Sequence, residues 1–262
     1  MMGITRYTRI LALFDQAKPA WTVAEISEAL DTSASTLYRL IRELVAEELL
    51  ESTVESRYRL GPLFVDYYRR VRLTDPLVLS GEKFLRPLLQ QIPCPATTIL
   101  ARLYGKTVMC VAEERASDAY FTTSYELGRP MPLLRGATSK AVLSTMPKRQ
   151  IMSMVAKDDS GTEIDPKALY AELVQIRKVG ICETRGHVDK GLIGIAAPVR
   201  SSELGINASL SAIIEQHETY EKYRADIYAA LTATARLIEG FMDDMSKSVL
   251  LAAGAETSIT TD

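Results

Sequence analysis

The feature that most constrains this chain is a run of short elements between residues 22 and 60. The segment TVAEISEAL reads as a helix, DTSASTLYRLIRELVAEEL as a tight turn and a second helix, and LESTVESRYRLG as a two-stranded ribbon. Thr22 and Glu25 form the T-x-x-E pattern of a capping box, which satisfies free amides at a helix start. This order predicts a winged helix-turn-helix, a module whose second helix enters the DNA major groove.

The second helix has one apolar face and one polar face. Its apolar stripe follows the i, i+3, i+4, i+7 spacing of a buried helix face and consists of Leu37, Leu40, Ile41 and Leu44. Small hydroxyls at a helix start allow close approach to phosphates, and arginine reads guanine edges or phosphates. The predicted DNA contacts are Ser33, Ser35, Thr36, Tyr38, Arg39 and Arg42 around this helix, with Arg57 and Arg59 on the ribbon.

A solvated helix without DNA contacts is the alternative interpretation of the same pattern. Acidic and basic side chains nearly balance over residues 1–70, and Glu43, Glu47 and Glu48 lie near the proposed contact surface. Only the clustering of the four arginines supplies the local basic patch that a nucleic-acid surface needs. Without a strong basic excess, DNA affinity would depend on dimerisation and base contacts as well as on phosphates.

Composition excludes several classes of protein. The chain has 262 residues, a formal net charge of -2 and 47% hydrophobic residues, which suits one or two domains with a sizeable core. No apolar run approaches the roughly 20 residues that span a bilayer, and MMGITRYTRI lacks a signal-peptide core, so we expect a cytoplasmic protein without membrane contact. Cys94, Cys110 and Cys182 are scattered and lack C-x-x-C spacing, so neither disulfides nor a metal site is expected.

The rest of the chain predicts an α+β architecture in four parts. Residues 1–62 form the winged helix-turn-helix, including a first helix over 4–17, and residues 63–75 form a linker helix. Residues 76–248 form a second domain of antiparallel hairpins and flanking helices, and residues 249–262 form a disordered tail. In the second domain we expect helices over 77–92, 137–156 with a break at Pro147, 166–179 and 219–246, and strands over 97–103, 107–113, 120–127, 181–184, 192–199 and 205–214.

Three segments of the second domain could hold a ligand. Gly128–Lys140 runs from a Gly/Pro-rich loop into a helix start, where free amides and Arg135 would favour an anion. A Gly- and charge-rich loop lies within residues 180–199, and strand alternation places Asn207, Ser209 and Ser211 on one face. A capped helix with a surface arginine, and serines with a structural role, are the alternatives.

No catalytic constellation is present in the sequence. Ser139 and Lys140 are adjacent on a helix and point in different directions, and His187 with Asp189 is too weak a pair to indicate catalysis. The chain contains no G-x-S-x-G, P-loop, G-x-G-x-x-G or H-E-x-x-H motif. We therefore expect no enzyme, no catalytic residues and no cofactor.

The order of motifs resembles the IclR family of bacterial transcriptional regulators over about residues 4–246. The matching pieces are SASTLYRLIRELVAEELLE, YRLGP, RGATSKAVL and VDKGLIGIAAPV followed by INASLSA. The resemblance implies an N-terminal winged helix-turn-helix, a linker helix and a C-terminal GAF-like effector domain. It also implies homodimers, often paired into homotetramers, that bind palindromic double-stranded operators and commonly control a neighbouring catabolic operon.

The resemblance further implies a small-molecule effector, frequently a carboxylate or an aromatic acid, in the C-terminal domain. The chain departs from the family at Ser139, where glycine is usual, and ETRGHVDKG lacks the acidic pair that often precedes the family's glycine. A metabolite-binding protein or enzyme that oligomerises through the N-terminal module, and a regulator without an effector, are the alternatives. The implied pocket residues are Arg135, Gly136, Ala137, Glu183, Thr184, Asp189, Leu192, Gly194, Ser209 and Ser211.

Overall fold

The computed structural model describes residues 3–156 and 165–257, with side chains up to residue 247. The chain divides into two compact units, the first ending at Thr74 and the second beginning at Asp75. None of the helices within these ranges is both long enough and apolar enough to cross a membrane.

The N-terminal unit contains the predicted helix-turn-helix and ribbon. Its elements in chain order are α1 Gly3–Leu11, β1 Trp21–Thr22, α2 Val23–Leu30, α3 Ala34–Ala46, β2 Leu50–Ser52, β3 Arg57–Leu60 and α4 Leu63–Thr74. β2 and β3 pair antiparallel as predicted, and the short β1 adds a third strand on the other side of β3. α1 ends at Leu11 instead of residue 17, because Asp15 accepts a hydrogen bond from the Lys18 amide and forms a local turn.

Local hydrogen bonds fix where α2 and α3 begin. The Thr22 amide donates to Glu25 Oε2 at 2.7 Å and the Glu25 amide donates to Thr22 Oγ1 at 3.3 Å, which confirms the predicted capping box. Ser33 precedes α3, and its hydroxyl contacts the Thr36 hydroxyl at 2.9 Å instead of capping a backbone amide of the helix. All four residues of the predicted α3 stripe are buried, in a core with Ile10, Phe14, Val23, Ile26 and Leu50.

The backbone that follows the ribbon packs against the residues that follow α3. The Gly61 amide donates to the Leu49 carbonyl at 2.9 Å, and the Leu63 amide donates to the Glu48 carbonyl at 3.2 Å. A Cβ atom at Gly61 would lie 2.1 Å from the Glu48 carbonyl oxygen. Only glycine therefore fits where the ribbon crosses this backbone.

The C-terminal unit is a six-stranded antiparallel sheet with helices on both faces, which confirms the predicted α+β class. The strands are β4 Ala96–Tyr104, β5 Thr107–Arg115, β6 Pro130–Met131, β7 Cys182–Arg185, β8 Leu192–Ser201 and β9 Ile206–Glu215, in the order β6-β5-β4-β9-β8-β7. The helices are α5 Pro76–Gln91, α6 Gly136–Ser144, α7 Lys148–Val155, α8 Pro166–Val179 and α9 Glu218–Thr257.

Alternation along each strand separates two apolar layers. One face of the sheet packs on α5 and α9 through residues such as Leu100, Ile195 and Leu210. The opposite face, called the α6 face below, packs on α6 through residues such as Ile99 and Ile213. This alternation decides which polar side chains meet beneath α6.

The second unit differs from the prediction in three places. Residues 120–127 form a loop instead of a strand, because the Asp189 carboxylate accepts hydrogen bonds from Ser124 and only Leu127 makes an isolated bridge to β5. The two-residue β6 was not predicted. α9 continues to Thr257 where a disordered tail was expected from residue 249, consistent with the helix propensity of its leucines and alanines. Residues 258–262 of that predicted tail lie outside the described residues.

Candidate functional site

The polar face of α3 carries most of the predicted DNA contacts. Ser35, Tyr38, Arg39 and Arg42 are exposed, and Thr36 is half-buried at the edge of this face. Tyr38 is 55% exposed, which is unusual for an aromatic side chain in a unit with an apolar core of its own. An exposed tyrosine beside two arginines suits stacking and hydrogen bonding to a partner.

Carboxylates of the same unit pair with three of the four predicted arginines. Arg39 Nη1 lies 2.8 Å from Glu43 Oε1, and Arg59 pairs with Glu51 across the ribbon. Arg57 Nη1 lies 3.2 Å from Glu25 Oε2 and also donates to the Ala20 carbonyl. Within the described residues, Arg42 alone of the four has no carboxylate partner.

Hydrogen bonds lower the pKa of two of these carboxylates, those of Glu25 and Glu43. The Thr22 amide, followed by Lys18, lowers the pKa of Glu25 to about 2. The Tyr7 hydroxyl, which donates to Glu43, lowers the pKa of that carboxylate as well. Arg57 therefore stabilises the junction of α2 and the ribbon, and its predicted phosphate contact would require exchange of Glu25 for a phosphate.

Two arginines that the sequence interpretation did not include lie close to the start of α3. Arg6 and Arg9 of α1 line a cavity of about 390 Å³ together with Thr32 and Thr36. Their i, i+3 spacing on α1 placed them on one helix face, and that spacing was the available signal.

The start of α6 is built around Gly136. Its φ of +79° lies in the left-handed region, and a Cβ atom there would come within 2.7 Å of Tyr125 Oη and of Val188. The Ala137 amide already donates to Thr184 Oγ1 at 3.0 Å. The hydroxyl of Thr184 thus satisfies the amide that was predicted to receive an anion.

A polar cluster is buried between α6 and the sheet. Thr138 and Ser211 hydroxyls are 3.1 Å apart, and Ser209 is fully buried with no hydrogen-bond partner for its Oγ among the described residues. Asn207 accepts a hydrogen bond from Thr145, so Asn207, Ser209 and Ser211 lie on the α6 face as predicted. Burial raises the pKa of the neighbouring Tyr125 to about 12, which keeps this phenol neutral at physiological pH. We call Thr138, Thr184, Ser209 and Ser211 the α6 cluster.

Arg135, the residue directly before α6, lines a cavity of about 260 Å³. The walls of this Arg135 cavity are Ser124, Arg129, Pro130, Met131, Pro132, Arg135, His187 and Val188. Arg135 Nη2 donates to the His187 carbonyl at 2.9 Å, which fixes its guanidinium on the cavity rim. Burial, and then Lys140, lowers the pKa of His187, so its ring is neutral at physiological pH.

The structure brings most of the predicted pocket residues together. Leu192 belongs to the apolar layer beneath α6, and a Cβ atom at Gly194 would lie 3.5 Å from Ala137 and 3.6 Å from Thr184 Oγ1. Asp189 instead holds the 123–124 loop, accepting hydrogen bonds from both Thr123 and Ser124. Sequence interpretation did not include Tyr125, Thr138, Arg129 or His187 among the pocket residues, although three of them lie in the segments 128–140 and 180–199 that it singled out.

Glu183 is separated from the other pocket residues by the sheet. On a strand, neighbours point to opposite faces, so Thr184 faces α6 while Glu183 faces α9. There Glu183 accepts hydrogen bonds from Tyr220 at 2.5 Å and from Tyr228, and it pairs with Arg185 and Arg224. Its effector role was implied by the family resemblance, and the pleat of β7 places it on the opposite face of the sheet from the α6 cluster.

Replacing Glu183 with glutamine is expected to destabilise the C-terminal unit at neutral pH by roughly 1.5–3 kcal/mol, the size of hydrogen bonds to a charged group. Burial acts to raise the pKa of Glu183, but hydrogen bonds from Tyr220, Tyr228 and Arg185 outweigh it and lower the pKa below its ordinary value. The ionised form therefore stabilises the fold above the unfolded-state pKa, and this stabilisation is lost as the pH falls through the lower folded-state pKa. Urea unfolding between pH 7 and pH 3 should show that the free energy of unfolding falls less with acid in E183Q than in the wild type. Parallel plots of unfolding free energy against pH would contradict this prediction.

The described residues contain no metal-ligand cluster. No group of three or more His, Cys, Asp or Glu side chains in these ranges could hold a metal ion. Cys94, Cys110 and Cys182 are free thiols, and burial raises the pKa of Cys110 and of Cys182 to about 12.

Comparisons with known proteins agree with both units. The model of the bacterial transcriptional regulator IclR C-terminal domain matches residues 82–239, and the model of the IclR helix-turn-helix domain matches residues 3–53. The Pca regulon regulatory protein of Pseudomonas putida is 22% identical over 217 residues, covering 80% of this chain and 73% of the relative. The regulator Rv1719 of Mycobacterium tuberculosis is 27% identical over 215 residues, covering 80% of each chain.

Solved structures give the same fold. A crystal structure of an ICLR transcriptional regulator from Silicibacter sp. TM1040 superposes with a TM-score of 0.76 at 19% identity, covering 91% of this chain and 95% of that chain. An IclR homolog from Microbacterium hydrocarbonoxydans superposes with a TM-score of 0.75 at 22% identity, covering 92% and 99%. The curated relatives are regulators, which confirms the expectation of a regulator rather than an enzyme. The chain belongs to the IclR family of bacterial transcriptional regulators.

Proposed function

We propose that this regulator binds a palindromic operator through α3 and that a small organic acid, bound between α6 and the sheet, modulates this binding. The observation that carries the effector proposal is the α6 cluster beside the Arg135 cavity. The start of α6 joins the two: the backbone at Gly136 closely approaches Val188, which lines the cavity, and the next amide, that of Ala137, donates to Thr184 of the cluster. Polar groups that converge in a mainly apolar site are typical of ligand pockets.

The side chains of the α6 cluster and of the Arg135 cavity favour an aromatic or short aliphatic carboxylate as the ligand. Met131 and Val188 line the Arg135 cavity and also pack on the apolar layer with Ile99, so a ring or chain placed there would meet apolar side chains. The carboxylate would then lie at Arg135, whose guanidinium can bind it with two hydrogen bonds. The Microbacterium homolog was solved in complex with 4-hydroxybenzoate, which supports this class of ligand for the present chain. We further propose that the regulated genes form a catabolic operon.

Assembly into dimers is supported by the surface of α4. None of the 12 residues of α4 is buried, although Val65 is 72% exposed and Leu73 is 59% exposed, with Phe64 and Val71 also exposed. A helix with this apolar surface gains stability from a partner. A second copy of the chain would supply that partner and present two α3 helices to the halves of a palindrome. Sedimentation as a single chain at DNA-binding concentrations would contradict this assembly.

Replacing Arg135 with alanine is expected to weaken binding of the acid by about tenfold or more, since a hydrogen bond to a charged group contributes roughly 1.5–3 kcal/mol. Operator binding without the acid should not change. A panel of organic acids that includes 4-hydroxybenzoate would be screened by thermal shift, because a ligand of the native state raises its stability. Calorimetry would then compare the wild type with R135A.

Arg149→Ala supplies the matched control, because Arg149 is an exposed arginine on α7 away from the cavity. Equal loss of affinity in R149A and R135A would contradict a specific role for Arg135. Absence of any stabilising acid, with operator binding intact, would favour a regulator that uses its second unit only for assembly.

A further inference from the structure

The unpartnered buried polar atoms of the described residues all lie on β4 or directly beside it. They are Thr97 Oγ1, Arg102 Nε and Ser209 Oγ. Ser209 lies opposite Ala101 of β4, and Arg102 is the next residue along that strand. A buried polar atom without a hydrogen bond is costly, so three at one strand call for a physical explanation.

The register of β4 is irregular at the same point. Leu100 pairs with Ala112 of β5, but the next residue, Ala101, pairs with Cys110, so Val111 has no partner residue. Bulges of this kind locally disrupt the ladder and redirect side chains. Ala101 and Ser209 lie on the α6 face of the sheet, whereas Arg102 points to the opposite face.

On that opposite face Arg102 binds the first residue of the C-terminal unit. Arg102 Nη1 pairs with Asp75 Oδ2, and the Tyr104 hydroxyl donates to the same oxygen at 2.9 Å. The Asp75 side chain is only 5% exposed. Its other oxygen, Oδ1, accepts the Leu77 amide at 2.9 Å and the Val78 amide at 3.3 Å, which caps α5.

We propose that β4 links occupancy of the α6 cluster to the cap of α5, with Arg102 as the positioning residue between them. This inference rests on the proposed effector site, since it concerns the regulation of that site. A ligand that gives Ser209 a hydrogen-bond partner shifts the bulge at Ala101 and moves Arg102, because the two residues are adjacent on one strand. The buried Asp75 then loses or rearranges its charge partner, and the backbone directly after α4 responds.

The free Nε of Arg102 is consistent with this role. A guanidinium that used all of its donors would resist displacement, whereas this one is anchored at Asp75 through Nη1 and stacks near Tyr104 with its carbon 4.9 Å from the ring centre. Coupling between two sites requires a packed element with two arrangements, here β4 with Arg102. The ligand-free pocket would favour one arrangement and the ligand-bound pocket the other.

Hydrogen exchange in the full-length chain tests this link without a known effector. Ser209→Val replaces the unpartnered hydroxyl with a methyl group and adds a second methyl group at the bulge, and it should change exchange of the Leu77 and Val78 amides by about fivefold or more, the lower end of typical coupling. Ile213→Val is the control, since it also places valine on the α6 face of β9, but opposite Thr97 instead of the bulge and at a residue outside the α6 cluster. Unchanged exchange at Leu77 and Val78 in S209V, or an equal change in I213V, would overturn the proposal.

A second variant covers the case in which S209V does not fold. Tyr104→Phe removes one hydrogen bond to Asp75 and should alter exchange of the β9 amides around Ser209, because coupling is reciprocal. No change there would overturn the link. The outcomes also separate the two proposals. If an acid binds without altering amide exchange at Leu77 and Val78, only the link is refuted. If S209V alters that exchange but no acid of the panel binds, only the effector proposal is refuted.

Discussion

Arg42→Ala is expected to raise the operator Kd about 5- to 150-fold, because a bidentate arginine contact to guanine contributes about 1–3 kcal/mol of discrimination. Arg42 is exposed on the polar face of α3 and has no carboxylate partner in the described chain. Arg39→Ala should cost less, since Arg39 must first leave Glu43. Fluorescence anisotropy at physiological salt, with an operator selected from random DNA, would measure both variants.

Arg59→Ala provides the contrast in the same titration. Arg59 lies on the ribbon and is expected to contact phosphate only, so its loss should weaken specific and scrambled DNA alike and reduce the salt slope by about 1. Arg42→Ala should instead reduce the preference for the operator over scrambled DNA. Unaltered operator affinity in R42A would remove Arg42 from the contact surface.

Gly61→Ala is expected to destabilise the N-terminal unit on the order of 3–5 kcal/mol, in the range of severe substitutions. The new Cβ would collide with the Glu48 carbonyl oxygen, a backbone atom that cannot rotate away. Operator binding should be lost while the C-terminal unit stays folded. Trp21 is the only tryptophan and lies in the N-terminal unit, so its fluorescence reports unfolding of that unit alone.

Gly3→Ala is the matched control for that experiment. An added Cβ at Gly3 meets nothing within 4 Å, so its Trp21 unfolding curve should overlay that of the wild type. A Trp21 transition in G61A at the wild-type denaturant concentration would mean that the wing can move aside without cost.

The N-terminal unit was largely predictable because its signals are local. The Thr22 and Glu25 capping box and the apolar stripe of α3 each depend on residues within two helical turns. The pairing of Arg57 with Glu25 joins residues 32 positions apart, and no spacing rule indicates it. The sequence thus predicted the exposed polar face of α3, but it did not predict which of the proposed DNA-contacting arginines pair with carboxylates.

The effector region was less predictable because it assembles from distant segments. Strand alternation correctly grouped Ser209 with Ser211, and the same rule separates Glu183 from Thr184, where family resemblance alone grouped them. The 120–127 segment has β-forming residues but is held as a loop by Asp189, which lies more than 60 residues away. Tertiary hydrogen bonds of this kind override local propensity.

The Arg–Glu pairs on the N-terminal unit have a consequence for how the regulator searches DNA. At the proposed DNA contacts, each glutamate would compete with DNA phosphate for its arginine, so random sequence would gain little from replacing one anion with another. Weak binding to bulk DNA would limit the share of the regulator that is held at nonspecific sites, which vastly outnumber the operator. The acidic side chains that seemed to argue against a DNA surface would therefore sharpen its selectivity.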